Sequence, residues 1–275
     1  MRGRSGSADF SRNIGLLTPN QQAALQAARV AVCGVGGMGG VAAEALARLG
    51  VGTLVLADGD RYEPTDVNRQ IHCDQRVIGR LKVEVISSRL RAINPELHVA
   101  AFGGVGTESV ATIVAAADLI LNGMDCVRSS LLLEREARRQ RRRVVNAWIT
   151  PYATVFVTTP DGPGFEECLG LPTAGREPGS MTDAEVEECL RREVTFTFSQ
   201  FDPYAIVDRE LVDDVLAGRM PRPSLVPVVW LSGTLMANEA MKILTTQGRI
   251  ASHWGVFYDQ YEHRLGYRVS GGNPA

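Results

Sequence analysis

RVAVCGVGGMGGVAAEALARLGVGTLVLAD, residues 29–58, is the stretch whose reading decides the fold. Its opening, RVAVCGV (29–35), is an apolar, β-branched run that stops at glycine, the profile of a strand buried on both faces. From Gly36 to Gly50 the texture changes to GGMGGVAAEALARLG, rich in alanine and leucine and closed by a glycine at a C-cap position. Strand therefore gives way to helix across the glycines. TLVLAD (53–58) is a second strand, and the three pieces form one βαβ unit.

Outward from this unit the alternation continues: helix 79–92, strand 97–102, helix 107–117, strand 118–123, helix 127–141 and strand 143–147. The pattern predicts an α/β fold, a Rossmann-like doubly wound and mostly parallel sheet. ATVFVTT (153–159) follows with no intervening helix, and VFYDQYEHRLGYRV (256–269) reads as a hairpin, so the C-terminal part is an antiparallel extension. Upstream, residues 1–8 read as a disordered lead, Phe10-Ser11-Arg12-Asn13 as a polar-aromatic arm, and Thr18-Pro19 as the N-cap and first position of a helix through Gln26. Residues 161–228 are rich in Pro, Gly, Asp and Glu, with one short amphipathic stretch at 182–192, and read as a long crossover segment. VPVVWLSGTLMANEAMKILTTQ (226–247) is a helix whose Ser232, Gly233 and Ala237 allow close packing in a core or a dimer. Three regions result: 1–28, an N-terminal arm and helix; 29–160, the nucleotide-binding region; and 161–275, a crossover and C-terminal substrate or dimer region of the same domain.

Composition narrows the function classes. Of 275 residues 45% are hydrophobic and 22% charged, with a formal net charge of −2, so no concentrated positive field calls for nucleic acid or an anionic membrane as partner. No apolar run reaches membrane length, and the first residues lack the apolar core of a secretory signal, which makes the cytoplasm the expected location. Cysteines 33, 73, 126, 168 and 189 contain no CxxC pair, against both a disulfide framework and a four-cysteine zinc site. The arginine run at 138–143 has no interleaved aromatics and reads as a solvated helix end, and the four histidines have no metal spacing.

The glycines Gly34, Gly36, Gly37 and Gly39 bring backbone close to phosphate oxygens, and the helix N-terminus behind them offers free N–H groups and a positive dipole end. Asp58, 24 residues after Gly34 at the tip of the second strand, is placed to accept hydrogen bonds from ribose hydroxyls; Asp60 is a rival. So far a nicotinamide-dependent oxidoreductase fits equally well. Asn68, Arg69 and Gln70 just after the second strand, and Lys82, one of only two lysines, at a helix start, add mobile cations suited to a triphosphate. Asp125, after the fourth parallel strand, adds a carboxylate of the kind that holds Mg²⁺ together with substrate phosphates.

The ordered set FSRN, GVGGMGG, LADGD, DVNRQ, GRLK, INP, NGMD and PVVWLSG resembles the ThiF/MoeB-type family, relatives of ubiquitin-activating enzymes, over about residues 10–160 and 222–247. The resemblance implies an ATP-dependent adenylyltransferase that activates the C-terminal carboxylate of a small carrier protein or peptide as an acyl-adenylate. It also implies that Asp58 holds ribose, that Arg69 and Lys82 contact phosphate with Asn68 beside them, and that Asp125 is the magnesium ligand. Arg12 would act in trans, reaching across a two-fold homodimer to the neighbour's nucleotide. Three departures stand out. Phe165-Glu166-Glu167-Cys168 replaces the first CxxC pair of zinc-bearing relatives, so no zinc is expected; Asp66 and Cys126 stand where the family carries asparagine. Cys168 and Cys189 are candidates for a thioester, against the plainer reading of inert thiols. Adenylation of a small-molecule or tRNA-linked carboxylate, an NAD-dependent oxidoreductase, and a catalytically silent dimeric partner are the competing functions.

Overall fold

The computed structural model describes residues 8–148, 151–177, 180–199, 201, 204, 206–217 and 219–267. The expected lead at 1–8 lies almost wholly outside these residues. Strands β1 (Arg29–Cys33), β2 (Thr53–Ala57), β3 (His98–Phe102), β4 (Leu119–Asn122), β5 (Arg143–Asn146), β6 (Ala153–Thr158), β7 (Val256–Asp259) and β8 (Arg264–Tyr267) form one sheet in the order β3-β2-β1-β4-β5-β6-β7-β8. The first five are parallel and the last three antiparallel, as the sequence leads one to expect.

Strand residues divide between the two faces with period two. Val30, Val32, Leu54, Leu56, Leu119 and Leu121 join one buried cluster, while Ala31, Cys33, Val55, Ala57 and Ile120 join the other. Helices α2 (Gly37–Leu49), α3 (Lys82–Ile93) and α9 (Val226–Thr245) cover the first face; α4 (Val110–Ala115) and α5 (Val127–Arg139) cover the second. α9 is a core helix, and Gly233 lets it approach α2 so closely that a Cβ there would lie 2.5 Å from the Met38 carbonyl oxygen. α1 (Pro19–Ala27) starts as read, with Thr18 and Gln21 forming a reciprocal capping box and Pro19 in the first turn.

The crossover differs from the expectation of an irregular segment. Its described residues carry three helices, α6 (Phe165–Leu169), α7 (Asp183–Phe198) and α8 (Arg209–Leu216). α7 runs 16 residues, six beyond the amphipathic stretch seen in the sequence, from a Thr182–Glu185 capping box. Its far end is fixed by side chains distant in the chain: Phe196 meets Trp148 and Phe257 edge-on, at 5.3 and 6.0 Å between ring centres. A partner that comes from β7 leaves no periodic signature in α7 itself.

Candidate nucleotide-binding site

The order β2-β1-β4 places a topological switch between β1 and β4, where ligands of doubly wound sheets sit beyond the strands' carboxyl ends. A cleft of about 940 Å³ opens there, lined by Gly34, Gly36, Gly37, Asp58, Lys82 and Asp125 among others. Gly34 has φ +78°, and a Cβ on it would lie 2.7 Å from the Met124 amide nitrogen, so the β1 and β4 loops can touch only through glycine. α2 has Gly36 as its N-cap and no side-chain cap, leaving its first-turn N–H groups for a ligand at the cleft floor.

Asp58 stands at the end of β2 and is held by two backbone donors, Val35 N–H to Oδ2 at 2.9 Å and Asp60 N–H to Oδ1 at 2.9 Å. Burial pushes its carboxyl up, against those donors and the nearby Lys82 charge. Asp60 is exposed and pairs with Lys82 Nζ at 3.1 Å. The Lys82 side chain is only 9% exposed, and burial opposes its charge; the carboxylates Asp58, Asp60 and Asp66 outweigh that and raise its pKa, so it stays an ammonium.

Arg69 caps the short 3₁₀ turn Pro64–Asn68 and reaches the cleft, donating to the Thr65 carbonyl at 2.9 Å and Asn68 Oδ1 at 2.8 Å, and pairing with Asp66 at 3.2 Å. Buried Asp66 also accepts from Gln70 Nε2 at 2.6 Å and the Glu63 amide at 3.0 Å, so the carboxylate found in place of the family's asparagine organises this turn. The start of α9 clamps the same turn: Asn68 Nδ2 donates to the Ser224 carbonyl and Trp230 Nε1 to the Arg69 carbonyl.

Of the residues singled out in the sequence, Gly34, Gly36, Gly37, Asp58, Asp60, Arg69, Lys82 and Asp125 line the cleft together. Three do not. Gly39 lies inside α2, where a Cβ would overlap the Gly34 carbonyl oxygen, so it serves helix–strand packing rather than ligand contact. Asn68 is exposed and turned to Ser224, and Arg12, in the 3₁₀ turn Ser11–Asn13, is exposed and away from its own chain's cleft. Asp125 is exposed with no hydrogen-bond partner among the described residues; the α5 N-cap is Cys126, so Asp125 is not spent on capping. A carboxylate without such a partner, beside a cleft large enough for a nucleotide, fits Mg²⁺ held jointly with substrate phosphates. Among the described residues no group of three or more His, Cys, Asp or Glu is placed to hold a metal by itself, and no helix is long and apolar enough to cross a membrane.

Sequence reasoning missed Arg222, which lines both this cleft and a smaller cavity behind Asp125, with Glu193 3.9 Å away. It follows a proline in an unpatterned segment, and nothing local marks it. The cysteine candidates come out chemically quiet. Cys189 is buried with its thiol pushed up by burial, and Cys168 is pushed up to about 11 for the same reason.

The sequence pattern of the ThiF family matches residues 10–269. The chain belongs to the ThiF family. This ThiF-family protein is 30% identical over 257 residues to the SAMP-activating enzyme E1 of Haloferax volcanii, a match covering 91% of this chain and 80% of that protein. It is 44% identical over 99 residues to the tRNA threonylcarbamoyladenosine dehydratase of Bacillus subtilis, covering 36% of this chain and 39% of the dehydratase. The structure of E. coli MccB superposes with a TM-score of 0.67 at 19% identity over 92% of this chain and 65% of MccB, a likeness of fold.

Proposed function

We propose that this protein is an ATP-dependent adenylyltransferase that converts the C-terminal carboxylate of a small carrier protein or peptide into an acyl-adenylate. The observation that carries the reading is the convergence in one cleft of a glycine-walled helix N-terminus, the Asp58 carboxylate, the Lys82 and Arg69 cations and Asp125, which has no partner among the described residues. A dinucleotide site needs the first two; the added cations and a carboxylate open to a metal ion suit a triphosphate.

In the proposed step a substrate carboxylate oxygen attacks the α-phosphorus of ATP in line. The new P–O bond forms as the bond to the β-phosphate oxygen breaks, its electron pair leaving with pyrophosphate, and no proton moves. The chain's part is to orient and to neutralise: α2's N-terminus and Lys82 hold phosphate, Arg69 lies beside them, and Asp58 fixes ribose. Mg²⁺ bound at Asp125 would supply further neutralisation of the leaving pyrophosphate. The smaller cavity behind Asp125, lined by Arg222 and by a buried Trp148 Nε1–H with no partner among the described residues, marks the side from which we read the carboxylate as approaching. Arg12, exposed and remote from its own cleft, is read as acting on the neighbour's nucleotide in a homodimer.

ATP–pyrophosphate exchange tests the reading, with peptides and carrier proteins ending in a free carboxylate as stimulants. Lys82→Ala and Asp125→Ala should each lower exchange on the order of 10²-fold with unchanged far-ultraviolet circular dichroism. Tight NAD(H) binding without Mg-ATP binding would overturn it in favour of an oxidoreductase. A tRNA-linked carboxylate is the second reading, supported by the 44% local identity to the dehydratase, and exchange stimulated by modified tRNA alone would select it.

A further inference from the structure

A one-way chain of hydrogen bonds through buried side chains ends on the loop that carries Asp125. The Met124 amide donates to Asn122 Oδ1 at 3.3 Å, Asn122 Nδ2 donates to Asn146 Oδ1 at 2.9 Å, and Asn146 Nδ2 donates to Glu134 Oε1 at 2.6 Å. Asn122, Asn146 and Glu134 are all buried. Ser130 Oγ adds a contact to Asn122 Oδ1 at 3.4 Å, tying the first turn of α5 to the same oxygen. Thr158 Oγ1 donates to Glu134 from the other side, at 2.8 Å to Oε2.

An asparagine side chain has a donor end and an acceptor end, and either can face a given neighbour. What orients Asn146 is the acceptor oxygen beside it, Glu134 Oε1, whose partner oxygen Oε2 is turned to Thr158. Once Asn146 Nδ2 is drawn to Glu134, its Oδ1 faces Asn122, which then turns its own Oδ1 to the Met124 amide and closes the tight turn Asn122-Gly123-Met124. Without an acceptor oxygen at that position the amides have no preferred direction. A reversed Asn122 would set an NH₂ against the Met124 N–H.

We propose that Glu134 is a positioning residue, acting through Asn146 and Asn122 to fix the turn that presents Asp125 to the nucleotide cleft. Its role in catalysis rests on the adenylation reading; its role in ordering the turn does not. Within the β4–α5 loop the Gly123 amide donates to the Cys33 carbonyl at 2.8 Å, but α5 lacks a side-chain N-cap and Asp125 makes no hydrogen bond among the described residues.

The experiment is amide hydrogen exchange at Met124, followed by NMR in the full-length protein, with ATP–pyrophosphate exchange measured in parallel. Glu134→Met and Asn146→Leu remove the terminal and middle links, and each should speed Met124 exchange about tenfold, the loss of one hydrogen bond. Glu134→Gln keeps an acceptor for Asn146 and a donor for Thr158 Oγ1, and should restore the wild-type rate. Thr158→Val disturbs Glu134 equally from the other side but spares the chain, and should leave Met124 unmoved. In pyrophosphate exchange the two breaking variants should need more Mg²⁺ for half-maximal rate while the KM for ATP changes little.

Unchanged Met124 exchange in Glu134→Met and Asn146→Leu overturns the proposal, as does acceleration in Thr158→Val as large as theirs. If Glu134→Met does not fold, Asn146→Leu with Thr158→Val decides. Absence of pyrophosphate exchange in the wild type under every stimulant counts against adenylation instead, with Met124 exchange still deciding the relay.

Discussion

Replacing Glu134 with glutamine should stabilise the protein above neutral pH and leave it nearly unchanged in mild acid. Burial pushes this carboxyl from its ordinary 4.5 up to about 7, with the Glu166 charge adding to the rise and the hydrogen bonds from Thr158 and Asn146 and the charge of Arg138 opposing it. Between those two values the folded protein keeps a proton that the unfolded chain has released. Stability from this group therefore falls as pH rises from about 4.5 to about 7, and stays at its lower level beyond. A rise of that size is equivalent to about 3 kcal/mol. Glutamine has the same shape, keeps the Asn146 contact and carries no charge to desolvate. Urea denaturation of both proteins across the range should give curves that coincide near pH 4.5 and separate toward pH 8, with glutamine ahead by about 3 kcal/mol and the slopes unchanged. A difference that does not vary with pH, or a wild type that gains on the variant as pH rises through this window, would refute the argument that burial dominates at Glu134.

Other consequences can be checked separately. Gly39→Ala forces a Cβ into the Gly34 carbonyl, so it should destabilise by about 2 kcal/mol or more in thermal melts, whereas Gly36→Ala, whose Cβ meets only the Gln70 side chain at 3.4 Å, should keep the fold. Cys126 is exposed in the cleft while Cys33, Cys73 and Cys189 are buried, so mass spectrometry should find it alkylated first by iodoacetamide near neutral pH, and more slowly with Mg-ATP present. Cys168→Ser should leave pyrophosphate exchange unchanged, since that thiol, pushed up to about 11, is a poor nucleophile at neutral pH. If Arg12 serves the neighbour's nucleotide, mixing inactive Arg12→Ala with inactive Lys82→Ala chains should regain part of the exchange activity; no recovery on subunit mixing speaks against the shared site.

The sequence by itself determined the elements of the sheet and the floor of the cleft. β1, the glycines and α2 are contiguous, and a buried parallel strand, a glycine-rich loop and a helix closed by Gly50 each leave a local pattern within a few residues. The same locality put Asp58, Lys82 and Asp125 at strand tips or a helix start, where the alternation of elements already fixes which edge of the sheet they share. It also misled: Gly39 belongs to the same glycine motif, yet its missing side chain serves packing against Gly34.

Only the tertiary structure decided the rest, because its causes lie far apart in the chain. Asn68 and Ser224 are 156 residues apart and Arg69 and Trp230 161, so no window of sequence reveals that the start of α9 clamps the turn carrying Arg69. The length of α7 depends on Trp148 and Phe257, and the place of Arg222 depends on where an unpatterned segment crosses the cleft mouth. Glu134 sits in α5 like any solvent-facing glutamate of an amphipathic helix. It becomes a buried acceptor only because β5 and β6 bring Asn146 and Thr158 against it, and direction in a hydrogen-bond chain is a property of assembled donors and acceptors rather than of any one residue.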